Sequence, residues 1–434
     1  MKVTVMNAYT WFNKGDAGIL MGTLHEVNSV MKNEDVEINI LSFTPKEDYS
    51  HYREIDNVRG VYSNLLNPYP FRKTKVGKAI AVSKLAFHCA LQMVLFFLFR
   101  AFAVKAYKAL KVLNESDVII VCGGGFLGGN KFNSLIHLHQ IFLATFLKKD
   151  VILWGTSIEP PTHKLIKRIT ETVIKRLGHV YSREDITTNY IGTFLRPDQF
   201  SFTPDLAFMV PRRSSRQVES IVKSLPKNRA CIGLTVRHWH FPKSKDKAAA
   251  LENYKESIAR MLIEFTERKG TTFVFIPQVI FDGDDDRIIA REIRERLPEH
   301  LKRHFIILEH DLSPMEIKEL IGNLYMFVGT RMHSNIFATG AHIPTVAIAY
   351  EAKTNGIMKM LELDQYVMNI EDVTPDGLIK KVYTCLEFRG RLNEHLSRVI
   401  PEVQAKIRTK SVFLEGRSHE HHDPVFERAD QFPA

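Results

Sequence analysis

Four side chains able to hold or move charge fall inside one stretch, Tyr325–Lys353 (YMFVGTRMHSNIFATGAHIPTVAIAYEAK): Arg331, His333, Glu351 and Lys353. Two short apolar runs in it, Tyr325–Val328 and Thr345–Ala349, have the character of strands. Between them Ser334–Gly340 predicts a helix ending at a glycine, and Pro344 opens the second strand. Residues that follow the carboxyl ends of neighbouring parallel strands meet at one edge of the sheet. Arg331 and His333 follow the first strand; Glu351 and Lys353 follow the second. Three potential cations therefore converge beside a helix start at Ser334, where free N–H groups also favour negative charge. The chemistry this fits is capture of a small phosphorylated or carboxylated molecule, with His333 as the acid/base group.

Other stretches place further polar residues after strands. Asn7–Gly18 (NAYTWFNKGDAG) follows the first strand: Gly15 lets backbone approach a ligand, while Asn13 and Asp16 can bond sugar hydroxyls or cap a helix. It lacks the spacing of a phosphate-binding P-loop. Val121–Asn130 (VCGGGFLGGN) removes side chains at Gly124 and Gly125, which serves either a tight turn or a ligand. Arg183, in SRED, can grip a carboxylate or phosphate at two points, or pair with Glu184 or Asp205. Arg237 and His238 hold the equivalent place in the second half. Asp282–Asp286 (DGDDD) has no loop-closing glutamate at calcium-loop spacing and directly precedes a helix, so an acidic helix N-terminus is the expectation, with no metal.

The elements that must position these groups alternate. Strands are expected at Lys2–Met6, Val36–Leu41, Asp117–Cys122, Asp150–Trp154 and Gly178–Tyr181, with helices at Gly15–Met31, Asn133–Leu147 and His163–Arg176. Prolines 197, 204, 211 and 226 break the pattern, and a connection between domains is expected there. Strands then follow at Cys231–Val236, Thr272–Pro277, Phe305–Leu308 and near Tyr366–Ile370, with helices at Ala248–Lys269 and Asp284–Leu297. Ser313-Pro314-Met315-Glu316 carries a helix-opening capping box. The expected class is α/β with two facing Rossmann-like domains: 1–205, then 206–373, then a C-terminal helix and tail over 374–434. A ligand would lie in the cleft between the strand ends.

Four scattered cysteines (Cys89, Cys122, Cys231, Cys385) and no apolar leader suit the cytosol. The net charge of +10 is local: nine basic and no acidic residues fall in an insertion over 71–113, and the remainder nearly balances. That pattern argues against nucleic acid as a partner. Within the insertion Leu85–Phe99 is uncharged. As a helix it would span roughly 22 Å, short of the ~30 Å hydrocarbon core. Basic residues flank both ends. A helix lying on the inner face of the cytoplasmic membrane is expected, the alternative being a buried helix of the first domain.

Taken together, NKGDAG, GGGFLGG, SRED, PDLAF around Asp205, GLTVR and above all TRMHSNIFATGAHIPTVAIAYEAK resemble the polysaccharide pyruvyltransferase family, from the first strand to about Leu363. The resemblance implies a glycosyltransferase-B-like architecture. It implies transfer of a pyruvyl group from phosphoenolpyruvate to a saccharide as a ketal, in cell-surface polysaccharide synthesis. The family's essential Arg, His and Lys match Arg183, His333 and Lys353. Arg331, Arg237, Ser334 and Glu351 would then serve the donor, and Asn13, Gly15, Asp16, Gly124 and Gly125 the acceptor. Phosphoenolpyruvate is a substrate, and no cofactor is expected. With the insertion on a membrane, a lipid-linked oligosaccharide is the expected acceptor. Two other readings compete: a nucleotide-sugar glycosyltransferase of the same architecture, and a non-catalytic membrane-peripheral scaffold. The first would use Glu351 as its ribose-binding acid, but Lys359 stands where a second glutamate would be expected.

Overall fold

The first strand, Lys2–Ala8, is buried along all but one of its residues, as a strand covered on both faces must be. In the computed structural model, which describes residues 1–32, 35–68, 75–281, 283–411 and 414, it lies inside an eight-stranded sheet. The order is Val58–Ser63, Glu37–Ser42, Lys2–Ala8, Val118–Val121, Asp150–Glu159, His179–Ser182, Phe200–Phe202, with Gly124–Gly128 beside Asp150–Glu159. A six-stranded sheet follows: Phe305–Ile307, Thr272–Phe275, Cys231–Thr235, Met326–Gly329, Thr345–Ala349, Val367–Asn369. The pairings along both are parallel. This is a mixed α/β molecule built on two Rossmann-like sheets.

In each sheet the strand order reverses once, and a crevice opens at the carboxyl ends there. In the first sheet the reversal falls between Lys2–Ala8 and Val118–Val121, followed by Tyr9–Asp16 and by the glycine run. In the second it falls between Cys231–Thr235 and Met326–Gly329, followed by Arg237 and by Arg331–His333. The two crevices meet. Asn13 forms an antiparallel bridge with Val279, and the Lys14 amide donates to the Gln278 carbonyl at 2.8 Å. Lys14, 1% exposed, pairs with Asp311, which also accepts from Trp11 Nε1 at 3.1 Å. Burial pulls the Lys14 ammonium down to about 8 even with Asp311 opposing.

The C-terminal helices, Pro375–Glu387 and Arg389–Ser411, return to the first half. Ser411 Oγ donates to Glu26 Oε1 at 2.8 Å, and Gln404 Nε2 donates to the Phe208 carbonyl at 3.1 Å. Lys318 reaches the Phe208 and Val210 carbonyls as well, tying a helix of the second half to the connecting segment. The histidine-rich tail lies outside the described residues.

The insertion forms a helix over Lys75–Leu98, then Arg100–Ala106 and Lys108–Asn114; residues 71–74 lie outside the description. It is not the buried helix that was one expectation. Phe96 and Gln92 face inward, and Gln92 Oε1 meets His139 Nε2 at 2.9 Å. Ile80, Phe87, Leu91, Val94 and Leu98 recur on one side at helical spacing and are exposed, Leu98 by 70%. Phe99 and Phe102 continue the stripe. The helix is also longer than the uncharged run suggested. Its 24 residues make about 36 Å at 1.5 Å per residue. By length and apolarity Ala79–Leu98 is therefore long enough to cross a membrane, which corrects the estimate from Leu85–Phe99.

Candidate active site

Where the two crevices meet lies a cavity of about 370 Å³. Its walls include Asn13, Gly15, Asp16, Gly125 and Arg183 from the first half and Arg331, His333, Glu351 and Lys353 from the second. Chain-distant cations thus share one small space, and the spacing is tight. A Cβ placed on Gly125 would lie 2.6 Å from Lys353 Nζ and 3.8 Å from Arg183 Nη2. One placed on Gly15 would lie 2.2 Å from His333 Nδ1. Gly15 is required by close approach, since no side chain fits between the imidazole ring and the opposing backbone, and a side chain at Gly125 would displace the Lys353 ammonium.

Arg183 is held at one end. Its Nε donates to Ser157 Oγ at 2.9 Å and its Nη1 to Asp205 Oδ2 at 2.5 Å. Burial alone would raise the Asp205 carboxyl; the Arg183 guanidinium and His333 outweigh it and hold the group well below the usual carboxylate range. His333 Nε2 lies 3.7 Å from Asp205 Oδ2, close but beyond hydrogen-bond distance. Asp205 therefore orients the guanidinium and lies beside the imidazole.

Lys353 stands differently. Its ammonium makes no hydrogen bond or ion pair among the described residues. Burial, then Arg183, pulls its pKa below that of an ordinary lysine, while Glu184 and Glu351 push back. Across the cavity, burial pushes the Asp16 carboxyl up while His333, Arg183 and Lys353 pull it down. Asn13 Nδ2 donates to Asp16 Oδ2 at 2.6 Å, and Asn13 Oδ1 caps the helix Lys14–Val30 through the Gly15 amide.

The helix after Met326–Gly329 begins at Met332, two residues before the expected start, so His333 stands in its first turn. With Arg331 as N-cap, the amides of this turn add to the positive potential.

Five assignments change. Arg331 borders the cavity, but its Nε and Nη2 both grip Asp286, which is 1% exposed, so its charge is spent inside the protein. Ser334 is buried and donates to the Arg331 carbonyl at 2.6 Å, fixing the loop rather than facing a ligand. Arg237 lies outside the cavity wall, with its guanidinium 4.3 Å over the Tyr350 ring and 5.2 Å from Trp239. Gly124 is also outside the wall; it has φ +153, a conformation side chains rarely adopt, and opens a short strand rather than a helix turn. Gly125 faces Lys353 and Arg183, so it belongs with the cations rather than on an acceptor side.

Of the acidic run, Asp282 lies outside the described residues, Asp285 caps the helix Asp286–Arg294, and Asp286 is the partner of Arg331. Tyr9, Phe126, Lys131, Asn133, Gln278 and Tyr350 line the cavity without having been expected there. Tyr9 and Tyr350 immediately follow strand ends, the signal that could have found them.

The fold and this two-sided cavity define a glycosyltransferase-B-like molecule with its site between facing Rossmann-like domains. The model of the polysaccharide pyruvyl transferase family matches residues 13–352, and the chain belongs to that family. It is 22% identical to the amylovoran biosynthesis protein AmsJ of Erwinia amylovora, over 93% of this chain and 96% of that one. Among solved structures it resembles the UDP-GlcNAc 2-epimerase of Methanocaldococcus jannaschii, with a TM-score of 0.56 at 13% identity, covering 93% of this chain and 100% of that one. It also resembles a UDP-glucose:anthocyanidin 3-O-glucosyltransferase, with a TM-score of 0.54 at 11% identity, over 96% and 99%. At these identities the structural likenesses concern the fold.

Proposed function

We propose that the chain transfers the pyruvyl group of phosphoenolpyruvate to two hydroxyls of a saccharide acceptor. The observation that carries this is the placement of Lys353 Nζ and Arg183 Nη2 against the same glycine, Gly125, in a cavity that His333 and Asp16 also line. A donor with both phosphate and carboxylate groups needs separate cations in fixed positions. Lys353, unpaired among the described residues, takes one group; Arg183, pinned by Asp205 and Ser157, takes the other with its remaining N–H groups.

The reaction adds a proton to the methylene carbon and makes C2 electrophilic. One acceptor hydroxyl bonds to C2. The second then bonds to C2 as the C2–O bond to phosphate breaks. One hydroxyl proton balances the proton gained by the methyl group, and the other leaves with phosphate. His333 is the acid/base group for these transfers, with the Asp205 carboxylate beside its ring. The test is phosphate release from phosphoenolpyruvate in the presence of saccharides, lipid-linked and free. Release that depends on saccharide supports the reaction; binding of a nucleoside diphosphate with none of phosphoenolpyruvate would reverse the donor assignment.

The enzyme works in polysaccharide synthesis, and the exposed stripe from Ile80 to Phe102 supports a place on the inner face of the cytoplasmic membrane. The C-terminal part of the helix packs on helix Phe132–Thr145 and its C-cap, through Gln92–His139 and the edge-on Phe97–Phe146 pair at 4.9 Å. Such a helix lies along the surface rather than leaving the protein to cross a bilayer, and Lys84, Arg100 and Lys105 suit anionic headgroups. The acceptor is then lipid-linked. Phe87→Glu with Leu98→Glu should abolish sedimentation with anionic vesicles while leaving thermal unfolding unchanged; undiminished sedimentation would remove the membrane role.

A further inference from the structure

Part of the cavity wall carries no charge and has no task in holding a dianion. Tyr9 and Phe126 both line it, with rings stacked at 6.0 Å and 28°. Each is braced by His137, at 6.1 Å and 4.5 Å, and Phe43 meets Tyr9 edge-on at 5.7 Å. His137 is fully buried, and burial pulls its pKa down to about 3, so the backing ring is neutral at any working pH. The wall is therefore rigid, and a ligand that uses it orders no new side chains.

Two amides share the cavity with these rings. Asn133 stands at the start of the helix Phe132–Thr145, and its side chain makes no hydrogen bond among the described residues. Gln278 is 2% exposed; its Nε2 is turned to the Pro277 carbonyl at 3.3 Å, and its Oε1 is buried with no donor. Neutral amides beside aromatic planes suit a ligand with an apolar face and a hydroxyl rim. A pyranose has both: axial C–H bonds cover one face, and its hydroxyls can serve the amides.

We infer that Tyr9, Phe126 and Asn133 form the subsite for the acceptor sugar, with the pyranose laid against the two rings. This rests on the phosphoenolpyruvate reading only for what fills the adjoining cationic part. The first half of the chain then recognises the acceptor through uncharged groups, while Asp16 faces the hydroxyl that reacts. An aromatic base would stack on the same rings, so a nucleotide is the competing occupant.

Saturation-transfer NMR on the full chain separates them, using the methyl glycosides of glucose, galactose, mannose and N-acetylglucosamine, with uridine monophosphate as the counter-probe. At least one glycoside should receive saturation on its ring protons. Its affinity should fall ~10-fold or more in Tyr9→Ala and in Phe126→Ala, hold in Tyr9→Phe, and fall ~3-fold in Asn133→Ala. The affinity for phosphoenolpyruvate, measured by calorimetry, should stay within ~2-fold in all of them if its cations lie elsewhere in the cavity. Should Tyr9→Ala fail to fold, Asn133→Ala and Tyr9→Phe still carry the comparison. Glycoside binding unaffected by the alanine substitutions, absent from the wild type, or displaced by uridine monophosphate would overturn the subsite. Sugar binding through Tyr9 without phosphoenolpyruvate binding would keep the subsite and refute the donor instead.

Discussion

Arg331 and Lys353 border the same cavity from neighbouring strand ends, yet one is an internal strut and the other a free charge. Arg331 is clamped by Asp286, a carboxylate 1% exposed, which also accepts from the Gln278 and Val279 amides. Lys353 has neither hydrogen bond nor ion pair among the described residues, and Gly125 leaves room around its ammonium. A cation already neutralised by the protein has little left for a ligand. A half-buried cation without a partner among the described residues is costly, and the cost is recovered when an anion arrives. Availability, rather than proximity, separates the binding group from the scaffold.

The sharpest break of that comparison removes the group between them. His333→Ala should lower kcat by about 10²–10⁴-fold, the range for loss of a positioned acid/base, with little change in thermal stability. The ring is 16% exposed and packs over a glycine, so its loss opens the cavity rather than the core. Steady-state phosphate release and a melting curve check it together. Near-normal turnover would move the acid/base role to another titrating group of the cavity wall, Asp16 first.

Next comes the strut. Asp286→Ala should destabilise the fold by about 3–5 kcal/mol, because it strands a buried guanidinium. It also leaves the Gln278 and Val279 amides without their acceptor. Lys353→Ala, by contrast, should leave the melting temperature unchanged or raised while abolishing donor binding. Denaturant titration of both variants reads the difference. Equal stability losses would mean that Lys353 is structural after all.

The residue types at this site were legible from the chain, and their partners were not. Thr345–Ala349 has the bounds its apolar run implies, and the capping box at Ser313 and Glu316 forms with both bonds present. The pairing of Arg331 with Asp286 joins residues distant in sequence, and reading the acidic run as a helix N-terminus names no such partner. Ser334 sits among cations in the sequence, but only packing reveals that its hydroxyl turns to a carbonyl. The strand Val58–Ser63 and the helix Pro45–Tyr52 were missed for a plainer reason. The strand is an edge with one buried residue, and the helix buries only Asp48 and Tyr52, so neither shows a clear apolar period. The insertion's two alternatives could not be separated because an apolar face has the same spacing whether or not something covers it.

The smallest expected effect is also the most specific to an unpaired lysine. Burial and then Arg183 place the Lys353 pKa below the ordinary lysine value. Only the ammonium attracts a dianion. Donor affinity is therefore complete below that pKa and is lost as pH rises through it, so KM for phosphoenolpyruvate should climb on the alkaline side earlier than a normal lysine would allow. A bound dianion favours the ammonium, so binding in that range should take up protons, which calorimetry in buffers of different ionisation heat can count. Arginine stays charged throughout. Lys353→Arg should accordingly remove the alkaline rise in KM, at some loss of affinity from its larger head, while Arg331→Lys should leave the rise where it is. An alkaline limb that stays put in Lys353→Arg and moves in Arg331→Lys would exchange the two roles: the clamped guanidinium would be the group that meets the donor.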